Sequence, residues 1–417
     1  MMNKSKRQWT RWGLGEYFLL VVIVLVIIGA VNVWSSTFYM NLRAGDSGMW
    51  HLYRHIIFIM LGMLTGLLAY WAVTFRWMQK SGMLTFLVTL TVLSLLAVLV
   101  AGVTVNGARR WIAVGVWTVQ PSELAKFVAI MWSAKYLAVL HKQQHPVRLW
   151  ASLMTAVKKR HIKYMWAEWK PLAVPLLFGF LVYPQPDFGT VLLIIGFPIM
   201  LYILAGLPWR EVTGTVAAVA AFGAVAVMAA PYRRERLVAL WDPFRHARDL
   251  GYQTVQSIIA VGSGGIFGQG AGRGHSKYAY LPEQYTDFAF SVWAQEWGFI
   301  GSAIVVLLFV ALLLLGWRIA SRTPHLYGRY LVYGLTGLLA GQGLYNMTMA
   351  VGSAPVTGVP LPFISYGGTS LVTCLAAVGT ILGVWQINRE KEARRKVLQQ
   401  QEILTSGRPM RRYPSHR

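Results

Sequence analysis

The chain has 417 residues, 56% of them hydrophobic and only 13% charged, with a mean hydropathy of +0.48. A soluble core cannot hide that much apolar surface, which excludes a soluble globular enzyme and points to a polytopic, all-α membrane protein. Lys and Arg number 39 against 15 Asp and Glu, and the resulting net charge of +24 suits anionic lipid at a membrane's inner face, with no call for nucleic acid.

Apolar stretches of spanning length fall at about 16–34, 56–73, 82–102, 122–140, 171–184, 187–206, 211–231, 288–316, 330–351 and 366–387, which predicts ten transmembrane helices. Several carry Gly or Pro, which membrane helices tolerate. The first is a full-length anchor with no small-residue cleavage site, so it reads as a span and not as a signal peptide. The lone cysteine, Cys374, lies in the last apolar stretch and reads as a small core residue. The chain divides into one transmembrane domain over 1–387, with a large outer loop at 232–287, and a basic tail at 388–417.

Orientation follows from the basic residues. With Lys4, Lys6, Arg7 and Arg11 inside, the same side receives Lys158, Lys159, Arg160, Lys163, Arg318, Arg322 and the tail from Arg389. The short loops on the other side keep only Arg43, Arg54, Arg109 and Arg110, so the positive-inside rule places both termini in the cytoplasm. Three polar segments then face outward: 103–121, 232–287 and 352–365. The second holds Arg233, Arg234, Arg236, Arg245, Arg248, Arg273 and Lys277 against the prevailing bias, an arrangement suited to an anionic group such as pyrophosphate.

Candidate chemistry lies where acids meet the membrane edge. Glu123 and Lys126 open the fourth span three residues apart, on one helix face, and read as an ion pair that is either structural or the wall of an outward cavity. Asp187 falls in the tight turn before the sixth span, where turn or capping work is the expectation. Asp287 ends the outer loop in Leu281-Pro-Glu-Gln-Tyr-Thr-Asp-Phe288; there it can cap the eighth span, act as a general base, or do both. Glu296 lies nine residues further, on the opposite helix face, so it does not pair with Asp287. The glycine-rich run 262–274 follows no strand and opens no Rossmann unit, and the nine His show no metal-ligand spacing.

Six motifs now stand in order: Asn106-Gly-Ala-Arg-Arg-Trp-Ile112, Gln120-Pro-Ser-Glu-Leu-Ala-Lys126, Gln185-Pro-Asp-Phe-Gly-Thr190, Gly251-Tyr-Gln-Thr-Val-Gln-Ser257, Tyr280-Leu-Pro-Glu-Gln-Tyr-Thr-Asp-Phe288 and Gly358-Val-Pro-Leu-Pro-Phe-Ile-Ser-Tyr-Gly-Gly368. Together they resemble the SEDS family (FtsW, RodA and SpoVE) over nearly the whole chain, with the FtsW type favoured. The resemblance implies a multi-pass enzyme of the bacterial inner membrane. It would polymerise peptidoglycan glycan strands from lipid II, the undecaprenyl-pyrophosphate-linked disaccharide pentapeptide, in cell division or elongation. It implies Asp287 as the catalytic base, and Arg110, Trp111, Gln120, Ser122, Glu123, Lys126, Gln256, Glu283 and Thr286 as substrate-binding candidates. It also implies a class B penicillin-binding protein transpeptidase and other divisome or elongasome membrane proteins as partners. No organic cofactor is required, and a divalent cation at the pyrophosphate is not readable from the sequence. The chain departs from the family pattern at Tyr285, where relatives commonly have His, at Gln295-Glu296, where two acids are common, and at Thr118, often basic. A lipid II flippase and a non-catalytic division scaffold remain as alternatives. A flippase needs its coupling acid near the bilayer midplane, whereas Asp287 is expected at the outer edge. The glycines at 298, 301, 334, 337, 341 and 343 offer small-residue surfaces on which a partner's helix could pack.

Overall fold

The computed structural model of the chain describes residues 13–406 apart from 76, 106–107, 116, 162, 229–233, 236–239, 249–250, 277 and 279–280. Lys4, Lys6, Arg7, Arg11, Arg233, Arg236 and Lys277, weighed above for charge, lie outside the described residues, as does the tail from 407 onward. Twelve α-helices are described: α1 Leu14–Arg43, α2 Trp50–Thr74, α3 Ser81–Ala101, α4 Pro121–Lys142, α5 Leu149–Lys158, α6 Lys163–Val182, α7 Phe188–Leu204, α8 Trp209–Met228, α9 Tyr252–Ser263, α10 Ala289–Ser321, α11 Leu326–Ala350 and α12 Gly368–Ser406.

Eight of these, α1 to α4, α6, α8, α10 and α12, are long and apolar enough to cross a membrane. Helix α7 is apolar but has 17 residues, and α11 falls outside the set for a different reason. It packs against α4, α7, α10 and α12, so protein surrounds it and its Gly and polar residues need not meet lipid. These two complete the ten expected spans. Helices α5 and α9 are the short additions, one in the basic loop and one in the outer loop.

Two regions are more ordered than the sequence suggested. The outer segment 103–121 contains a three-stranded antiparallel sheet of β1 Val103–Val105, β2 Ala108–Val114 and β3 Trp117–Val119. Its strands are short runs of Val, Thr, Ile and Trp, side chains that fit a pleated surface, and Gly115 takes φ +60 where β2 turns toward β3. The helix that carries the last span continues past 387 as one helix to Ser406, so much of the basic tail is helical.

Close helix contact depends on glycine. In the α2–α12 pair, a Cβ on Gly379 would lie 1.9 Å from the Gly66 carbonyl oxygen, so only hydrogen fits between these backbones. Helix α10 breaks where Gly298 takes φ +64 and ψ −160. There the loop at 265–270 replaces the lost helical bonds: Phe299 and Ile300 donate backbone N–H to the carbonyls of Gly265 and Ile266, and Gln269 and Gly270 donate to those of Gln295 and Glu296.

The surface expected to receive a partner's helix is used internally instead. A Cβ on Gly334 would meet Ile130, on Gly337 Met200, on Gly341 Phe197 and on Gly343 Phe309; Gly301 faces Trp297, and Gly298 faces the 266–268 backbone. These glycines let α10 and α11 approach the chain's own α4, α7 and outer loop, which corrects the partner-facing reading.

The start of α1 and the far part of α12 share one end of the bundle, where Arg389 Nη1 reaches Glu16 Oε1 at 2.5 Å.

Candidate functional site

The site forms where the sheet, the turn before α7, the start of α10 and the segment between α11 and α12 meet. Alternation along β2 sends its two arginines different ways. Arg109 donates to the carbonyls of Leu99, Val100 and Gly102 and so closes the end of α3. Arg110 instead reaches the turn before α7, where Nε donates to the Gln185 carbonyl at 3.1 Å and Nη2 to that of Pro186. Its Nη1 lies 3.9 Å from the buried Asp187 carboxylate. Asp187 caps α7 by accepting from the Thr190 N–H at 3.3 Å, as its turn position suggested. It also accepts from Gln120 Nε2 at 3.3 Å, so one carboxylate ties the sheet side to the start of α4.

Below this, Pro121 opens α4 and the next turn delivers the pair foreseen from its spacing. Lys126 Nζ lies 2.8 Å from Glu123 Oε1, with both side chains at most 4% exposed. The ammonium also donates to Gln342 Oε1 on α11 at 3.0 Å, and Gln342 Nε2 donates to the Pro360 carbonyl at 2.9 Å. A buried charge pair with further hydrogen bonds avoids the cost of a lone charge at membrane depth. The chain of contacts carries α4 through α11 to the segment that ends at α12.

Asp287 precedes α10, and the capping half of its expectation is not met. The N-cap position is Phe288, whose side chain makes no capping bond. The helix starts one residue later because the loop closes tightly on itself: Phe288 N–H donates to the Glu283 carbonyl at 3.1 Å, and Thr286 Oγ1 donates to Glu283 Oε2 at 2.7 Å. Asp287 is left half-buried with its carboxylate turned toward Gly358. A Cβ placed on Gly358 would lie 3.6 Å from Asp287 Oδ2 and 3.6 Å from Arg110 Nη1. Gly358 sits at φ +75, so the backbone there needs glycine, and the carboxylate and the guanidinium both approach that point.

The remaining candidates divide. Trp111 is half-buried on β2 beside Arg110. Ser122 is buried in the first turn of α4, and its Oγ meets no protein partner. Glu283 and Thr286 are joined in the Asp287 loop. Gln256 stands half-buried on α9, next to Ser257, whose hydroxyl donates to the Ala350 carbonyl. Glu296 turns away to α1, where it accepts from Ser35 at 2.6 and 2.8 Å, in line with its expected separation from Asp287. Of the outer-loop arginines, Arg234, Arg245, Arg248 and Arg273 are exposed. Tyr285 packs at 5.5 Å from His51 and 5.8 Å from Tyr366, and burial, with Glu283 nearby, raises its hydroxyl above the usual tyrosine range. It therefore stays protonated at physiological pH.

Gln342, Asn346 and Gly358 were not singled out from the sequence. Gln342 and Asn346 lie four apart on one face of a helix buried among its neighbours, and that spacing of amides was the available signal.

Residues 16–390 match a family model described as "Cell cycle protein" and covering FtsW, RodA and SpoVE. The chain is 35% identical over 379 residues to the probable peptidoglycan glycosyltransferase FtsW of Saccharophagus degradans, covering 89% of this chain and 92% of that protein. It is 33% identical over 383 residues to the stage V sporulation protein E of Bacillus subtilis, covering 89% and 97%. Among solved structures it superposes with a TM-score of 0.71 at 30% identity on a chain of a peptidoglycan synthase complex that coordinates polymerization and crosslinking, covering 91% of this chain and 99% of that one. The rod shape determining protein RodA of Thermus thermophilus matches at a TM-score of 0.61 and 28% identity, covering 91% and 98%.

Proposed function

The chain belongs to the FtsW, RodA and SpoVE family, and from that membership and the geometry at Asp287 we propose that it is a peptidoglycan glycosyltransferase that polymerises lipid II. The observation that carries the reading is the convergence of Asp287 Oδ2 and Arg110 Nη1 on one point beside Gly358. The growing bond needs a base at the acceptor and positive charge at the leaving group, and these two side chains supply one of each.

In the proposed reaction the 4-hydroxyl of an acceptor GlcNAc attacks the anomeric carbon of a MurNAc linked to undecaprenyl pyrophosphate. Asp287 takes the hydroxyl proton as the new glycosidic bond forms. The bond from the anomeric carbon to the pyrophosphate oxygen breaks, and the electron pair leaves on the pyrophosphate, with Arg110 as the cation assigned to meet it. One displacement inverts the anomeric centre and leaves no sugar on the protein. Glu123, Lys126 and Ser122 are assigned to the buried wall of the site, with the half-buried Gln120 at its edge. Trp111, Gln256, Glu283 and Thr286 are assigned to substrate contact or to holding the loops that make it.

The partner is a class B penicillin-binding protein transpeptidase, in keeping with the synthase-complex neighbour, and the FtsW relatives favour a role in division. Both termini are placed in the cytoplasm, with the site on the outer face. The position of Asp287 at the end of a span, rather than within one, supports chemistry over flippase coupling. The test is incubation of the purified protein, with and without the transpeptidase, with lipid II. Asp287→Asn should fold and insert normally and lose about two to four orders of magnitude in rate. Full polymerisation by that variant would remove Asp287 from the mechanism.

A further inference from the structure

We propose that Asn346 and Ser365 are positioning residues for Asp287, a proposal that rests on reading Asp287 as the general base. Three consecutive carbonyls in the loop that carries the acid are each held by a separate donor. That of Tyr285 accepts from the Tyr366 backbone N–H at 2.8 Å. That of Thr286 accepts from the Ser365 hydroxyl at 2.5 Å, and that of Asp287 itself from Asn346 Nδ2 at 2.7 Å. All three donors come from α11 or from the segment that joins it to α12, so an element distinct from the acid's own loop fixes the acid's backbone.

Each side chain also grips the segment containing Gly358. Asn346 Nδ2 donates a second time, to the Val359 carbonyl at 2.8 Å, and Ser365 Oγ accepts from the Leu361 N–H at 2.9 Å. One clamp therefore sets the distance between the acid and the glycine on which Arg110 also converges. The amide's orientation is dictated by its neighbours, since both are carbonyl oxygens that only accept. Its Oδ1 is buried without a protein partner, an arrangement that an apolar side chain of similar size would avoid if packing alone were at stake.

Neither residue can be a substrate ligand in this arrangement. Asn346 is fully buried with both amide protons used, and Ser365 is 4% exposed. They act through Asp287. Misplacement of a reacting group by about 1 Å can cost on the order of 100-fold in rate, so loss of a carbonyl anchor should be read in turnover.

The experiment uses the full-length protein reconstituted with its transpeptidase, with purified lipid II as substrate and rates normalised to folded protein. Asn346→Ala and Ser365→Ala should each lower kcat on the order of 10- to 100-fold and leave KM within about twofold. Ser365→Thr, which keeps the hydroxyl, should recover most of the loss. The acid limb of the kcat/KM profile should also move in Asn346→Ala, because the base has changed surroundings. A purely structural role would lower thermal stability and yield while leaving kcat per folded molecule and the pH profile unchanged, and that result overturns the proposal. So does a loss carried wholly by KM. If Asn346→Ala does not fold, the Ser365 pair of variants decides. Asp287→Asn is run alongside. If it is inactive while both alanine variants keep full kcat, only the positioning role fails; if it is active, the general-base reading fails and the clamp falls with it.

Discussion

At the residue scale, the buried pair of Glu123 and Lys126 makes the sharpest demand. Their 2.8 Å contact lies almost wholly out of solvent, so removing one partner strands the other charge. Each single Ala variant should therefore lose roughly 3–5 kcal/mol of stability, whereas the double Ala variant should lose far less than the sum. The charge-swapped pair should recover part of the single-variant loss, although Gln342 Oε1 would then face a carboxylate and limit the recovery. Thermal unfolding in detergent of the wild type and these four variants checks this, and simple additivity would rule out the pairing. The spacing of this pair, and the place of Asp287 at the end of a span, were both legible because each depends on neighbours in sequence. Asn346 was not, since its value comes from carbonyls 59 and 13 residues away that only the fold brings to it. The capping reading of Asp287 failed for a related reason: the Phe288 N–H bond back to Glu283 moves the helix start by one residue, and no propensity rule sees that bond.

At the element scale, nine of the ten spans were readable from apolar length, and even α11 was found although its burial excuses it from being strongly apolar. What hydropathy could not show is where a span is interrupted. Gly298 sits inside a stretch read as one continuous span, yet α10 breaks there because the loop at 265–270 inserts its own backbone bonds. A Cβ on Gly298 would lie 2.3 Å from the Gly268 backbone nitrogen, and φ +64 disfavours any L side chain. The atoms it would meet on Gly268 and Ile266 are all backbone and cannot turn aside. Gly298→Ala should thus cost about 1–2 kcal/mol from the dihedral and a further ~1–3 kcal/mol from overpacking. Gly223→Ala on α8 is the control, as its Cβ meets open space. A midpoint for Gly298→Ala equal to that of the control would show that the break is not required. The outer sheet was missed because β1 and β3 are three residues long and β2, Ala-Arg-Arg-Trp-Ile-Ala-Val, does not alternate apolar with polar.

At the scale of the whole molecule, one face of the bundle joins the first and last helices through Glu16 and Arg389, and the other carries Asp287, Arg110 and Asp187. The two faces differ in what surrounds them. Basic residues crowd the first, in the α5 region and along the extension of α12, which is the distribution that holds a helix end in the cytoplasm. The outer loop is long, and long loops cross a membrane largely regardless of charge, so its arginines do not oppose this orientation. Cys374 is the single cysteine and is buried, which leaves the background silent to thiol reagents in the folded protein. Trp241→Cys would place a thiol in the outer loop at a side chain 88% exposed, and Lys158→Cys would place one at the exposed end of α5. In intact cells a membrane-impermeant maleimide should label the first and not the second, and permeabilisation should make both reactive. The reverse pattern would turn the protein over in the bilayer, put Asp287 and Arg110 in the cytoplasm, and leave the outer-face polymerase reading without a site.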